Sequence, residues 1–192
     1  LRVLPGPADY TVPAFEPGQV AAVAQYLLSR YPLVIGDTAP EFWKDKPWLE
    51  ELFPLADRVL AVTDQSRFNL EENKKYAPLL LSMGVPPDKI DIVVTRYSPR
   101  LKKVKEIEES FCSGFKKNVP AKLLPRVVAV IPHEWEEYQK KGYEGEVAGL
   151  EDAYSQWHSL AERIAALAGY SYKRPEGESR KSFFALLGKK RK

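Results

Sequence analysis

The sequence predicts an α/β fold built on a parallel sheet, and three observations carry that reading. Short runs such as Arg58-Val59-Leu60-Ala61-Val62-Thr63, Asp91-Ile92-Val93-Val94-Thr95 and Val127-Val128-Ala129-Val130-Ile131 are apolar almost throughout, as strands buried on both faces are. They alternate with helix-spaced segments at roughly 30-residue intervals, which implies right-handed crossovers between parallel strands. The composition, 44% apolar and 29% charged over 192 residues, suits one ordinary globular core.

Taken in order, Leu1-Arg2-Val3-Leu4 reads as a strand end broken by Pro5-Gly6-Pro7. The chain opens without methionine and already in a strand pattern, so a preceding N-terminal part is expected. Residues 19–29 space Val20, Val23, Ala24, Leu27 and Leu28 as one helix face. Leu33-Val34-Ile35-Gly36 then predicts a buried strand that delivers Asp37 into the turn Asp37-Thr38-Ala39-Pro40. A short helix over 48–53 leads to the strand at 58–63. Asp64-Gln65-Ser66 supplies cap-type side chains for a helix over 67–83, kinked at Pro78 and stopped by Gly84. The strand over 91–95 follows Pro86-Pro87-Asp88, and a charged amphipathic helix spans 102–111. The last strand covers 127–131, and a long helix over 150–168 ends at Gly169.

Several function classes are disfavoured. One cysteine, Cys112, forms no disulfide framework, and with His133 and His158 it makes no zinc cluster. This points to a reducing, cytoplasmic setting. No run of about 18 apolar residues is present, and the first residues lack the order of a secretion signal. Charge is uneven: residues 173–192 hold eight basic side chains against Glu176 and Glu178, a net +6, while the body before them carries −3. An acidic body disfavours broad nucleic-acid binding, whereas the basic tail suits an anionic surface.

The order of motifs resembles the MinD/ParA group of deviant-Walker P-loop ATPases, including the CpaE-like ATPases of pilus assembly. Over residues 1–170 the resemblance rests on Val34-Ile35-Gly36-Asp37-Thr38-Ala39-Pro40, on Ala56-Asp57 followed by the strand ending in Thr63, and on Val93-Val94-Thr95-Arg96. It continues in Val130-Ile131-Pro132-His133, in Lys141-Gly142-Tyr143 and in the long helix through residues 154–167. It implies a P-loop NTPase-like, three-layer parallel-sheet fold, truncated at its N-terminus, with ATP and magnesium as cofactors. It also implies a nucleotide-dependent homodimer acting as a positioning or pilus-assembly factor at the inner membrane face. Two departures stand out. The glycine-rich phosphate loop with its lysines has no counterpart in these 192 residues, so the chain alone is expected not to hydrolyse ATP. Thr95 stands where the family carries an adenine-contacting asparagine, offering a hydroxyl in place of a paired amide.

Residue by residue, the resemblance makes Asp37 the carboxylate that holds magnesium through water, with Thr38 beside it. The plain alternative for Asp37 is a turn cap. Thr95, Arg96, Pro132 and His133 would flank the base, with a solvated loop histidine as the plain alternative for His133. Glu134, Glu136 and Glu137 read as first-turn helix carboxylates, and Trp43, Trp48 and Trp157 as packing residues. Cys112 reads as an inert, partly buried thiol.

The tail from residue 171 onward reads as a flexible basic segment. It ends in a short amphipathic stretch in which Phe183, Phe184, Leu186 and Leu187 lie between Lys181 and the cations Lys189, Lys190, Arg191 and Lys192. Such a helix suits a membrane interface, its apolar side chains in the acyl boundary and its lysines on anionic headgroups. A disordered solubilising tail and non-specific DNA binding are the two alternatives. A further reading of the whole chain is a degenerate, non-catalytic scaffold that presents the tail to a membrane, a partner or DNA.

Overall fold

The computed structural model describes residues 18–38, 46–115, 119–133, 139–140, 143–144 and 156–174. The contacts divide the chain into two compact units, Leu1–Ala56 and Asp57–Lys192, a boundary that composition does not announce.

In the first unit, helix α1 runs Gln19–Arg30 and helix α2 Lys46–Leu52, the latter passing into a 3-10 turn at Phe53–Leu55. Gly18, at φ 84°, starts α1, and its N–H donates to Glu51 Oε1 at 2.7 Å, which ties the two helices together. The strand expected at residues 33–36 does not form. Residues 33–38 are irregular, and Ile35 is 72% exposed. The run is only four residues long and lies between Pro32 and Pro40 with Gly36 at its end. Two β-branched side chains are too few to hold an extended segment that pairs with no strand among the described residues.

The second unit contains a three-stranded parallel sheet, β1 Val59–Thr63, β2 Ile90–Tyr97 and β3 Arg126–Pro132, in the order β1-β2-β3. The alternation predicted from the sequence thus appears as adjacent parallel strands, with β2 central and Ile90, Ile92, Val93 and Val94 all buried. Helix α3, Arg67–Ser82, follows β1, and helix α4, Val104–Cys112, follows β2. Helix α5, Trp157–Leu167, is shorter than the expected helix over 150–168: Gln156 is a turn residue ahead of it, and residues 150–155 lie outside the described residues.

Side-chain parity assigns the helices to faces. Asn73 of α3 donates from Nδ2 to Thr63 Oγ1 at 2.6 Å, so α3 lies on the face of Thr63 and of its register partner Val94. Leu160 of α5 packs with Val93, Ala129 and Ile131 on the opposite face. There Arg163 of α5 grips Asp91 through Nε and Nη2 at 3.0 and 3.1 Å. Helix α5 packs against β3, and Val62, on the α5 face of the outer strand β1, is left 63% exposed. The expectation of a fully buried β1 is corrected on that account.

Helices α3 and α4 touch through a close backbone approach. Pro78 lies inside α3 and has no N–H to give Lys74 O, four residues back. Gly114, just past α4, sits against that carbonyl; a Cβ there would come within 2.6 Å of both Lys74 O and Ala77 Cβ. Cys112 is buried, and its thiol donates to Pro125 O at 3.3 Å. At the other end of the unit Gly169, at φ 77°, stops α5 as expected, and residues 170–174 return along it. Tyr172 Oη meets His158 Nδ1 at 2.6 Å, and Arg174 forks onto Glu162 at 2.7 and 2.8 Å.

Candidate functional site at the C-terminal edge of the sheet

In open parallel α/β sheets ligands bind beyond the carboxyl ends of the strands. Here that edge is made by Thr63 and Asp64 at the end of β1, by Thr95, Arg96 and Tyr97 at the end of β2, and by Pro132 and His133 at the end of β3. Four of the residues singled out from the sequence, Thr95, Arg96, Pro132 and His133, are therefore brought to one edge. The His133 N–H donates to Tyr97 O at 3.1 Å, which closes the β2 and β3 ends on each other.

The strand ends are irregular in an informative way. Val94 pairs with Val130, but the next pair is Tyr97 with Pro132, so β2 carries one extra residue there. Arg96 sits in this bulge at φ 50°, the left-handed region, where it is the non-glycine exception among the described residues. A bulge of this kind re-aims a side chain. The Arg96 side chain is 67% exposed, with Nη1 3.9 Å from Asp64 Oδ2.

Asp64 and Gln65 fix this edge from the β1 side. Asp64 Oδ1 accepts from the Ser66 N–H and from Asn69 Nδ2, both at 2.8 Å, while Ser66 Oγ accepts from the Asn69 N–H at 3.2 Å. The cap-type residues read from the sequence therefore do start α3. Partial burial pushes the Asp64 carboxyl up. Hydrogen bonds from Ser66 and Asn69 and the Arg96 charge outweigh it and hold the group below its ordinary value. Buried Gln65 spans to the loop after β2, donating to Ser98 O and Lys102 O at 3.1 and 2.5 Å and accepting from the Ser98 N–H at 2.6 Å. Its anchoring role was not visible in the sequence, because it depends on which strand becomes the neighbour of β1.

Thr95 does not aim its proton outward. Its hydroxyl donates to Thr63 O at 3.1 Å, leaving only acceptor capacity at this position. His133 is exposed, the solvated position. Asp37 and Thr38 lie in the irregular segment of the first unit, Asp37 exposed and Thr38 half-buried, without the strand expected ahead of them. Glu134, Glu136, Glu137, Trp43 and the tail residues Lys181, Phe183, Phe184, Leu186, Leu187, Lys189, Lys190, Arg191 and Lys192 lie outside the described residues. Among the described residues no group of three or more His, Cys, Asp or Glu side chains is placed to hold a metal ion. Nor is any helix among them long and apolar enough to cross a membrane.

The site thus defines a parallel-sheet α/β protein with a polar, strained C-terminal edge. No family model, curated protein or solved structure matches the chain.

Proposed function

We propose that this chain is part of a nucleotide-switched ATP-binding protein of the MinD/ParA/CpaE kind, with its base-binding edge at Thr95, Arg96, Pro132 and His133. The carrying observation is Arg96. A left-handed arginine in a bulge at the carboxyl edge of a parallel sheet is local strain, and such strain persists where the surroundings fix a side chain for use. Arg96 presents its planar cation beside the base position, Thr95 contributes acceptor lone pairs, and the His133 backbone closes the edge. Adenine selectivity is weak, because the Thr95 proton is committed to Thr63 O.

The phosphates and magnesium fit these residues poorly. No glycine-lysine loop occurs in the sequence, and magnesium in such sites takes one or two carboxylates together with the phosphates. Asp37 is the residue proposed to hold the ion through water, but it has no phosphate cradle beside it in these residues. No hydrolytic step is assigned to the chain. In this reading nucleotide promotes a homodimer in the cytoplasm, and the basic tail places it on the inner membrane surface through avidity. The biological role is that of a positioning or pilus-assembly factor.

A second reading, the non-catalytic scaffold, is favoured by two observations: residues 33–36 form no strand, and the outer strand β1 leaves Val62 exposed. Anisotropy titration of a fluorescent ATP analogue, with and without magnesium, separates the two. The ATP-binding reading predicts saturable, weak binding that magnesium barely changes and that Arg96→Gly abolishes. Absence of saturable binding selects the scaffold, and magnesium-dependent hydrolysis by this chain overturns the assignment of no hydrolytic step.

A further inference from the structure

At the opposite edge of the same sheet, where the strands begin, the second unit holds an open cleft of about 700 Å³, within the size range of small-ligand sites. Part of its lining is apolar, with Leu123 exposed and Leu124 and Val128 half-buried. In the rest of the lining most charges cancel in pairs. Arg163 is spent on Asp91, Arg174 on Glu162, and Arg126 on Glu108 through Nη1 at 2.8 Å. Among the described residues, two cations of the lining meet no acidic side chain. Arg58 donates through Nη1 to the backbone carbonyl of Asp88, and exposed Lys122 lies next to Leu123. Against them stands the Asp88 carboxylate, a net charge of +1.

We propose that this cleft binds a small amphiphilic anion, an aliphatic chain lying on Leu123, Leu124 and Val128 and a carboxylate or phosphate monoester head meeting Lys122 and Arg58. The apolar side chains suit a hydrocarbon body. The net charge of +1 selects the sign of the head, since a cationic head would add to it and an anionic one offsets it. The bidentate Asp91–Arg163 pair is not a ligand contact. It fixes α5 against the start of β2 and so sets the cleft's wall. The site does not depend on the nucleotide reading, because it lies at the strand starts and uses none of the residues of the carboxyl edge.

The test uses sodium octanoate, octyl phosphate and octylammonium as probes, followed through methyl and amide NMR shifts of the full chain. Octanoate or octyl phosphate is expected to give saturable shifts at Leu123, Leu124 and Val128, with octylammonium at least tenfold weaker. Which of the two anions binds more tightly distinguishes a carboxylate from a phosphate head. Lys122→Glu, on an exposed side chain, should weaken the anion at least fivefold, while Lys105→Glu on α4 should leave it unchanged. Equal response to anion and cation, shifts confined to residues outside the cleft, or an unaltered affinity in Lys122→Glu would overturn the proposal.

Discussion

Arg96 holds a backbone conformation that costs an L-residue roughly 1–2 kcal/mol, a cost glycine escapes. Arg96→Gly should therefore raise stability in urea by about 1 kcal/mol while removing nucleotide binding; Arg96→Ala should lose binding without that gain. A variant whose stability falls on the change to glycine would show that the residue is not strained. Asp64 gives a pH-dependent test. Its folded carboxyl titrates below its unfolded value, so its contribution is present above the unfolded value and is lost as pH falls through the folded one. Asp64→Asn keeps the oxygen that accepts from Ser66 and Asn69 but loses its charge, and should cost about 1 kcal/mol near neutral pH, the difference between a charge-assisted and a neutral hydrogen bond. In urea titrations the gap to the parent protein should narrow as pH falls below the ordinary aspartate value. The capping chemistry of Asp64 and Ser66 was legible because caps act within a few residues. The approach of Arg96 to Asp64 was not, since it follows from strand register and a bulge.

Among the elements, the α3–α4 contact depends on Gly114 having no side chain. Gly114→Ala should destabilise by about 1–3 kcal/mol, since its methyl would enter the space of Lys74 O and Ala77. The same change at Gly36, where among the described residues a Cβ would meet Leu52 at 3.8 Å, should be near neutral in the same chemical denaturation. Arg163→Ala would strand the buried Asp91 carboxylate, a loss of about 3 kcal/mol at neutral pH by the same measurement. Strands β1, β2 and β3 were legible because β-branched runs of five or more residues have few alternatives to burial in a sheet. The segment at residues 33–36 has the apolar character without the length, and no described strand pairs with it. The sequence pattern therefore makes Asp37 a strand-end carboxylate, whereas the structure places it in an irregular segment.

For the whole molecule, the parallel sheet with α3 and α5 on opposite faces follows from the alternation of strand and helix patterns. The division at residues 56 and 57 does not, since no glycine- or serine-rich linker marks it. The tail belongs to this scale too, because its proposed role acts on where the protein resides. Phe183→Glu combined with Leu187→Glu should abolish sedimentation with anionic liposomes and leave the fold of the sheet unchanged by circular dichroism. Unchanged sedimentation would remove the membrane from the account. The central claim, that the carboxyl edge of the sheet receives the base of a nucleotide, is tested most directly by an adenosine titration followed residue by residue in amide NMR. Saturable shifts are expected at Thr95, Arg96, Tyr97 and His133, and they should vanish in Arg96→Gly. An edge that stays silent while adenosine is raised to millimolar concentration, or shifts that fall elsewhere in the chain, would contradict it.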